Sequence, residues 1–234
     1  MRASIKWLKD YVDFSETPEQ LAEMLTMAGV PVEHISYLGE DIENVVSGKI
    51  IEITAHPNAD KLIICKVDTG TEKLTIVTGA TNVNVGDVVP VALPGAKLPG
   101  GIKIKPSKLR GVESFGMLCS ADELNIDSKL LSAKEREGIY ILPPDTPIGV
   151  DIKELLGLDD VVLEFELTAN RADCYSMIGL AREIAVLTSG TLRKPMLNVR
   201  EQDKEKTANL VKVSIEDPAL CPRICARVLK NVKV

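Results

Sequence analysis

Apolar and polar positions along this chain change period several times, and each change marks an element. Ile5, Leu8 and Val12 fall on one face of a helix that Ser4 is placed to cap. A second helix is marked at both ends. Thr17 is its N-cap, with Pro18 at the first helical position and Gln20 three residues on; Leu21, Met24, Leu25 and Ala28 form its stripe, and Gly29 and Pro31 stop it. Val32 to Leu38 reads as a short strand and Gly39 to Asn44 as an acidic connector. From Val45 to Leu124 the period shortens to two. Ile63, Cys65 and Val67 alternate with more polar residues after the turn-forming Pro57-Asn58-Ala59-Asp60, and Leu74 and Ile76 continue the pattern. Asn84-Val85-Gly86-Asp87 turns the chain before Val88, Val89 and Val91. Pro94-Gly95 and Pro99-Gly100-Gly101 punctuate a long loop, and Ile102-Lys103-Ile104-Lys105 alternates apolar with basic. Five or so short strands with Gly/Pro corners predict a compact Greek-key barrel of the OB type.

Beyond the barrel, Asn125 to Gly138 is a polar loop, Ile139 to Leu142 a short strand ended by Pro143-Pro144, and Asp151 to Leu156 a brief helix stopped by Gly157. Val161, Leu163, Phe165 and Leu167 alternate with acidic residues as a half-buried strand. Asp173 is placed to cap a third major helix with the stripe Met177, Leu180, Ala181, Ile184 and Leu187 and Gly190 as its stop. The fold class expected is therefore α+β, with the barrel (residues 40–149) inserted between the two halves (1–39 and 150–199) of a split α+β domain. The two ends of an inserted barrel must lie close together. Residues 200–234 read as a linker and the first strands of a further domain, around Val211, Val213 and Ile215 and around Ile224, Ala226 and Val228. The chain stops inside a strand-like run, as expected of a piece of a longer protein.

The length allows one or two domains with an ample core. No apolar run approaches a membrane span and the N-terminus has no signal-peptide layout. Five cysteines without a secretion signal fit a reducing cytoplasm. The net charge of −6 is the wrong sign for a bulk nucleic-acid binder, so any RNA contact must come from a local patch.

Such a patch is present in Lys97, Lys103, Lys105, Lys108 and Arg110, opposed nearby only by Glu113. By itself such a run is better explained by a solvated strand face than by phosphate contacts. If Ile102 and Ile104 are buried, Lys103 and Lys105 leave the strand on one outer face. Phe115 is the only aromatic between Val45 and Leu124, which disfavours single-strand capture by base stacking and favours recognition of a folded RNA by shape and backbone. Cys221 and Cys225 lack partner ligands, with His34 and His56 remote in sequence, so no metal site is expected. Gly95-Ala96-Lys97 is not followed as a phosphate loop requires. No nucleophile-plus-base signature appears, and no residue is assigned a catalytic role. Within Asn170-Arg171-Ala172-Asp173, Asp173 reads as a helix cap, and Arg171 is left open between a cap-side turn and a contact with RNA or a subunit.

The runs HPNADKL, VDTG, IVTGATNV and LRGVESFGMLCSADEL resemble the tRNA-binding barrel attached to several aminoacyl-tRNA synthetases. With SIKWLKDYVDF, the helix ending MAGVPVE and the later EFELTANRADCYSMIGLAREIA, the whole chain is similar to the N-terminal part of the β subunit of bacterial phenylalanyl-tRNA synthetases. The resemblance implies a cytoplasmic enzyme of two α and two β subunits that joins phenylalanine to tRNA with ATP and magnesium, its aminoacylation site on the α subunit. This chain would then supply tRNA binding and scaffold, with no cofactor, membrane or DNA of its own, and be inactive alone. It also implies an editing domain starting where the chain stops. RNA-contact candidates become Lys61, Lys97, Lys103, Lys105, Lys108, Arg110 and Ser114; Ser120 shares the motif, and Met117 fits a core role better. Two other readings stand beside it: a free tRNA-binding module acting in trans, and a protein-interaction barrel.

Overall fold

A computed structural model of the chain describes residues 1–127, 129, 131–132, 135–196 and 205–232. They divide into two units, Met1–Arg193 and Lys194–Val234. Local signals set the first elements. Ser4 ends strand β1 (Arg2–Ser4) and caps helix α1 (Ile5–Tyr11), its hydroxyl oxygen accepting the Trp7 N–H at 3.0 Å. At the start of α2 (Pro18–Met27), Thr17 Oγ1 accepts from the Gln20 N–H while Gln20 Oε1 accepts from the Thr17 N–H. Leu21 and Leu25 are fully buried. Ala28, expected in that stripe, is exposed because the helix has already ended there; Gly29, at φ 81°, turns the chain into β2 (Val32–Tyr37).

The next eight strands form the middle of the chain. They are β3 (Glu43–Ala55), β4 (Ile63–Asp68), β5 (Lys73–Thr78), β6 (Val88–Leu98), β7 (Ile102–Lys103), β8 (Ser107–Leu109), β9 (Val112–Ser114) and β10 (Met117–Leu118). All pairings are antiparallel. The larger sheet runs β10-β6-β3-β4-β5 with β7 against β6, and β8 pairs only with β9. No ladder joins β5 to β10. The seam between them is crossed by two bonds, Phe115 N–H to Thr75 O at 2.8 Å and Val77 N–H to Ser114 Oγ at 3.0 Å.

Two expectations fail around β6, a strand covered on both faces. Val89 and Val91 pack with Ile50, Cys65, Val67 and Ile76, whereas Val88, Ala92 and Leu98 pack with Ile42, Leu124, Leu142 and Ile152. A strand buried on both sides reads as a continuous apolar run instead of an alternating one. Pro94-Gly95, expected in a loop, therefore lies inside β6, where Gly95 N–H donates to Ile104 O and Ile104 N–H to Ala96 O. Residues 139–142, expected as a strand, make only a bridge from Leu142 to Val88, with Tyr140 N–H bonded to Cys119 O. Pro143 follows at once and cannot extend a ladder.

Helix α3 (Ile152–Leu156) is capped by Asp151, which accepts the Lys153 N–H, and ended by Gly157 at φ 66°. Its Ile152 is fully buried in the cluster beneath β6, with Leu155, Leu156 and Leu158 against it. The expected boundary at residue 150 groups this helix with the flanking segments, but its apolar face packs beneath β6 and not in the cluster over β1, β11 and β2. Strand β11 (Val161–Phe165) runs antiparallel between β1 and β2. Over that sheet lie α1, α2 and α4 (Met177–Thr188), with Leu8, Leu21, Leu25, Leu163, Leu180 and Ile184 fully buried together.

Both ends of α4 correct the sequence reading. Its cap is Ser176, whose hydroxyl accepts the Gly179 N–H at 3.1 Å, and not Asp173. A Cβ on Gly179 would lie 1.9 Å from the Asp173 carbonyl oxygen, so the preceding turn rests on the helix itself. At the other end Ser189, at φ 56°, takes the left-handed position expected of Gly190. Gly190 serves close approach instead: a Cβ there would meet the Asp13 carbonyl oxygen at 2.2 Å.

The two ends of the central segment meet. Ser47 N–H donates to Val150 O, Gly149 N–H to Ser47 O, and Ser47 Oγ to Pro147 O at 2.6 Å. Leu38 N–H donates to Asp160 O at 2.9 Å. In the second unit the described residues hold a short helix α5 (Thr207–Leu210) and no strand. The alternating runs at 211–215 and 224–228 have no ladder partner there, and alternation without a neighbour does not make a strand. The expected linker lies partly outside the described residues.

Candidate nucleic-acid interface

The two most specific sequence runs, HPNADKL and LRGVES, are brought together at one end of the sheet. Strands β8 and β9 are joined by Arg110-Gly111, with φ of 47° and 99°, the two-residue turn that needs positive φ at both positions. Glycine accepts this without cost; at arginine the left-handed conformation costs about 1–2 kcal/mol. The neighbouring turn holds it. The His56 ring is buried, and its Nδ1 accepts the Asn58 N–H at 3.1 Å, so the proton sits on Nε2, which donates to Leu109 O at 3.1 Å. Asn58 Nδ2 donates to Arg110 O at 3.3 Å. At about 1 kcal/mol for each bond between the turns, the latch offsets the strain at Arg110. Both Arg110 and Lys61 are exposed. A strained arginine fixed at a turn tip is a reason to look for what its guanidinium meets.

The lysine series does not form one strip. Lys97 and Lys103 are register partners across β6 and β7, and Lys97 is ion-paired with Glu43 at 2.7 Å. The Lys97 hydrogen bond, aided by the charges of Lys97, Lys153 and Lys103, holds the Glu43 carboxyl below its usual range. Glu113 is thus not the only opposing charge. It faces Lys108 across the hairpin, while Ser107 and Leu109 turn to the other side. Ile104 is buried as expected but Ile102 is 46% exposed, since β7 is two residues long and its outer end is uncovered.

Lys103 and Lys105 line a groove of about 630 Å³ that follows the open seam between β5 and β10. Arg136, which the sequence reading passed over inside a polar loop, lines it as well. Arg136 Nε donates to Leu131 O at 3.2 Å within the loop, and the loop's far end is fixed by Asn82 of the IVTGATNV run. The Asn82 side chain donates to Ile139 O at 2.8 Å and accepts the Ile139 N–H at 3.0 Å, pinning that end to the sheet.

Ser114 corrects the candidate set. It is 1% exposed, with its hydroxyl engaged on both sides, accepting the Val77 N–H and donating to Gly116 O at 3.2 Å, so it bridges the seam where it lines the groove instead of standing out toward a phosphate. Arg171 is also committed: its guanidinium bonds Asp173 and pairs with Glu183 at 2.8 Å. Asp173, Cys174 and Glu183 converge closely enough to hold a cation. Arg171 already occupies that position, and burial with the Asp173 hydrogen bond pushes the Cys174 thiol up to about 11, so the cluster suits an internal arginine better than a metal.

Residues 45–151 match the family described as "Putative tRNA binding domain". The chain thus carries a tRNA-binding domain, and this domain holds the latched hairpin and the groove. Over its whole length the chain is a homologue of phenylalanine–tRNA ligase beta subunits, which are aminoacyl-tRNA synthetase subunits. It is 50% identical over 234 residues to that of Moorella thermoacetica, 48% over 235 residues to that of Clostridium acetobutylicum and 47% over 234 residues to that of Syntrophus aciditrophicus. All of this chain is covered in each case, and it spans 29%, 29% and 28% of those relatives.

Proposed function

We propose that this chain is the N-terminal tRNA-binding and scaffold portion of a cytoplasmic phenylalanine–tRNA ligase beta subunit, working with an α subunit in an α2β2 assembly. The larger antiparallel sheet, with its seam spanned by Phe115 and Ser114, is read as an OB-type barrel. One observation carries the reading: the segment matched as a tRNA-binding domain is the one that gathers Lys61 with Arg110 at its tip and Lys103 and Lys105 beside a groove. Lysine and arginine at such positions follow phosphates without reading sequence. ATP and magnesium serve the whole ligase, and aminoacylation is assigned to the α subunit. No helix among the described residues is long and apolar enough to cross a membrane.

Labelled folded tRNA titrated with the chain at low ionic strength should show weak binding that salt abolishes and that changes little between anticodons. Loss of preference for tRNA over an unrelated acidic polymer would favour a protein-interaction barrel instead.

The same reading makes residues 1–39 and about 159–193 one domain, since β11 lies between β1 and β2. Because Leu38 and Asp160 are hydrogen-bonded, a short linker replacing residues 40–158 should leave a cooperatively folding protein. Calorimetry showing no cooperative transition would count against the split domain.

A further inference from the structure

The seam groove has a property that phosphate binding does not use. Its floor is apolar and buried, with Ile104, Leu118 and Ile139 at 8%, 2% and 7% exposure, while Lys103, Lys105 and Arg136 line it as cations. Of its two acids, Glu123 is occupied by the Ser120 N–H and hydroxyl at 2.6 and 2.9 Å. The exposed Asp122 carboxylate has no such partner among the described residues. An apolar floor, cations beside it and one uncommitted acceptor match the parts of a nucleotide: a base to cover, a phosphate to pair, and base N–H groups to accept.

We propose that this groove seats one unstacked nucleotide of a folded RNA, its base over Ile104, Leu118 and Ile139 and its phosphate against Lys103, Lys105 and Arg136. The inference rests on the tRNA-binding reading and deepens it from backbone contact to a base pocket. The volume of about 630 Å³ is ordinary for a pocket that accepts a small polar molecule. Folded RNAs present such bases singly, at loops and bulges, so the pocket needs none of the ring stacking that a barrel tracking a single strand uses. Asp122 favours guanine, whose N1–H and N2–H lie side by side for one carboxylate, and gives uracil less to hold.

Ser107 is exposed and lines the groove, so Ser107→Trp fills it without altering charge. In the full 234-residue chain this variant should bind labelled folded tRNA about tenfold more weakly, the effect of losing one seated base. Its salt slope should fall by no more than about one, because only the seated nucleotide's own phosphate contact is lost with the base. A second measurement needs no variant. Methyl NMR of the wild-type chain should show Ile104, Leu118 and Ile139 shifting with 5′-GMP, less with 5′-UMP, and not with ribose 5-phosphate. Wild-type tRNA affinity in a folded Ser107→Trp protein, or floor methyls unmoved by 5′-GMP, would overturn the base pocket while leaving tRNA binding through the latched hairpin intact. Floor shifts with 5′-GMP in a chain that binds no tRNA would mean a site for free nucleotides, and both the RNA form of this inference and the function it rests on would fall.

Discussion

Alanine at Lys103, Lys105, Lys108 and Arg110 together should flatten the dependence of tRNA affinity on salt, by up to roughly four in the logarithmic slope if every cation meets a phosphate. The rest of the chain repels RNA, with a net charge of −6 before the change, so these cations should carry most of the attraction. The four are not equivalent. The Arg110 backbone is held at a turn tip by Asn58 of the turn that precedes Lys61, and Lys103 and Lys105 line one groove. Lys108 stands opposite Glu113, which competes with a phosphate, so restoring Lys108 alone to the quadruple variant should recover the least. Lys97 should matter less still, because binding a phosphate means giving up Glu43. Salt titrations of wild type, the quadruple variant and the four single restorations check this. Equal slopes for wild type and the quadruple variant would make these side chains a solvated face and move the search to Lys61 and Arg136. The fold should survive, since all four side chains are exposed.

Gly179→Ala should be the most damaging small substitution in the flanking helical layer. The new Cβ would stand 1.9 Å from the Asp173 carbonyl oxygen, and that neighbour is backbone, which cannot rotate aside. Relief requires the first turn of α4 to lift, which loosens Met177 and Leu180 from the core. Overpacking of this kind costs about 1–3 kcal/mol, and with the lost core contacts about 3 kcal/mol is expected. For a unit of this size that lowers the melting temperature by roughly 6–12 °C. Gly79→Ala is the control, because its Cβ would meet nothing closer than 3.7 Å. A melting temperature within a degree or so of wild type for Gly179→Ala would show that the turn at Asp173 yields easily, and the close approach would lose its structural weight.

The sequence by itself determined what depends on neighbouring residues. The capping of α1 by Ser4, the reciprocal cap of Thr17 and Gln20, the left-handed stops at Gly29 and Gly157, and the alternating strand at Cys65 and Val67 are all local, and all are present. Long motifs likewise carried the kinship with phenylalanine–tRNA ligase beta subunits, because a run such as LRGVESFGMLCSADEL is specific without knowledge of any contact. Tertiary structure decided everything that turns on which faces are covered and which loops meet. Pro94-Gly95 lies inside a strand because β6 is packed on both sides; Asp173 yields the cap to Ser176 because it is tied to Arg171; α3 packs beneath β6 because Ile152 fits there. At the candidate site the residue types were legible but their roles were not. Ser114 and Arg110 stand four residues apart in one motif, and the fold buries the first as a seam hydrogen bond while latching the second outward through His56 and Asn58. Arg136 carried no local signal, since the far end of its loop is fixed by the hydrogen bonds between Asn82 and Ile139, 57 residues apart in sequence. Pairing across that distance is set by the closing of the whole sheet, and no local period can encode it.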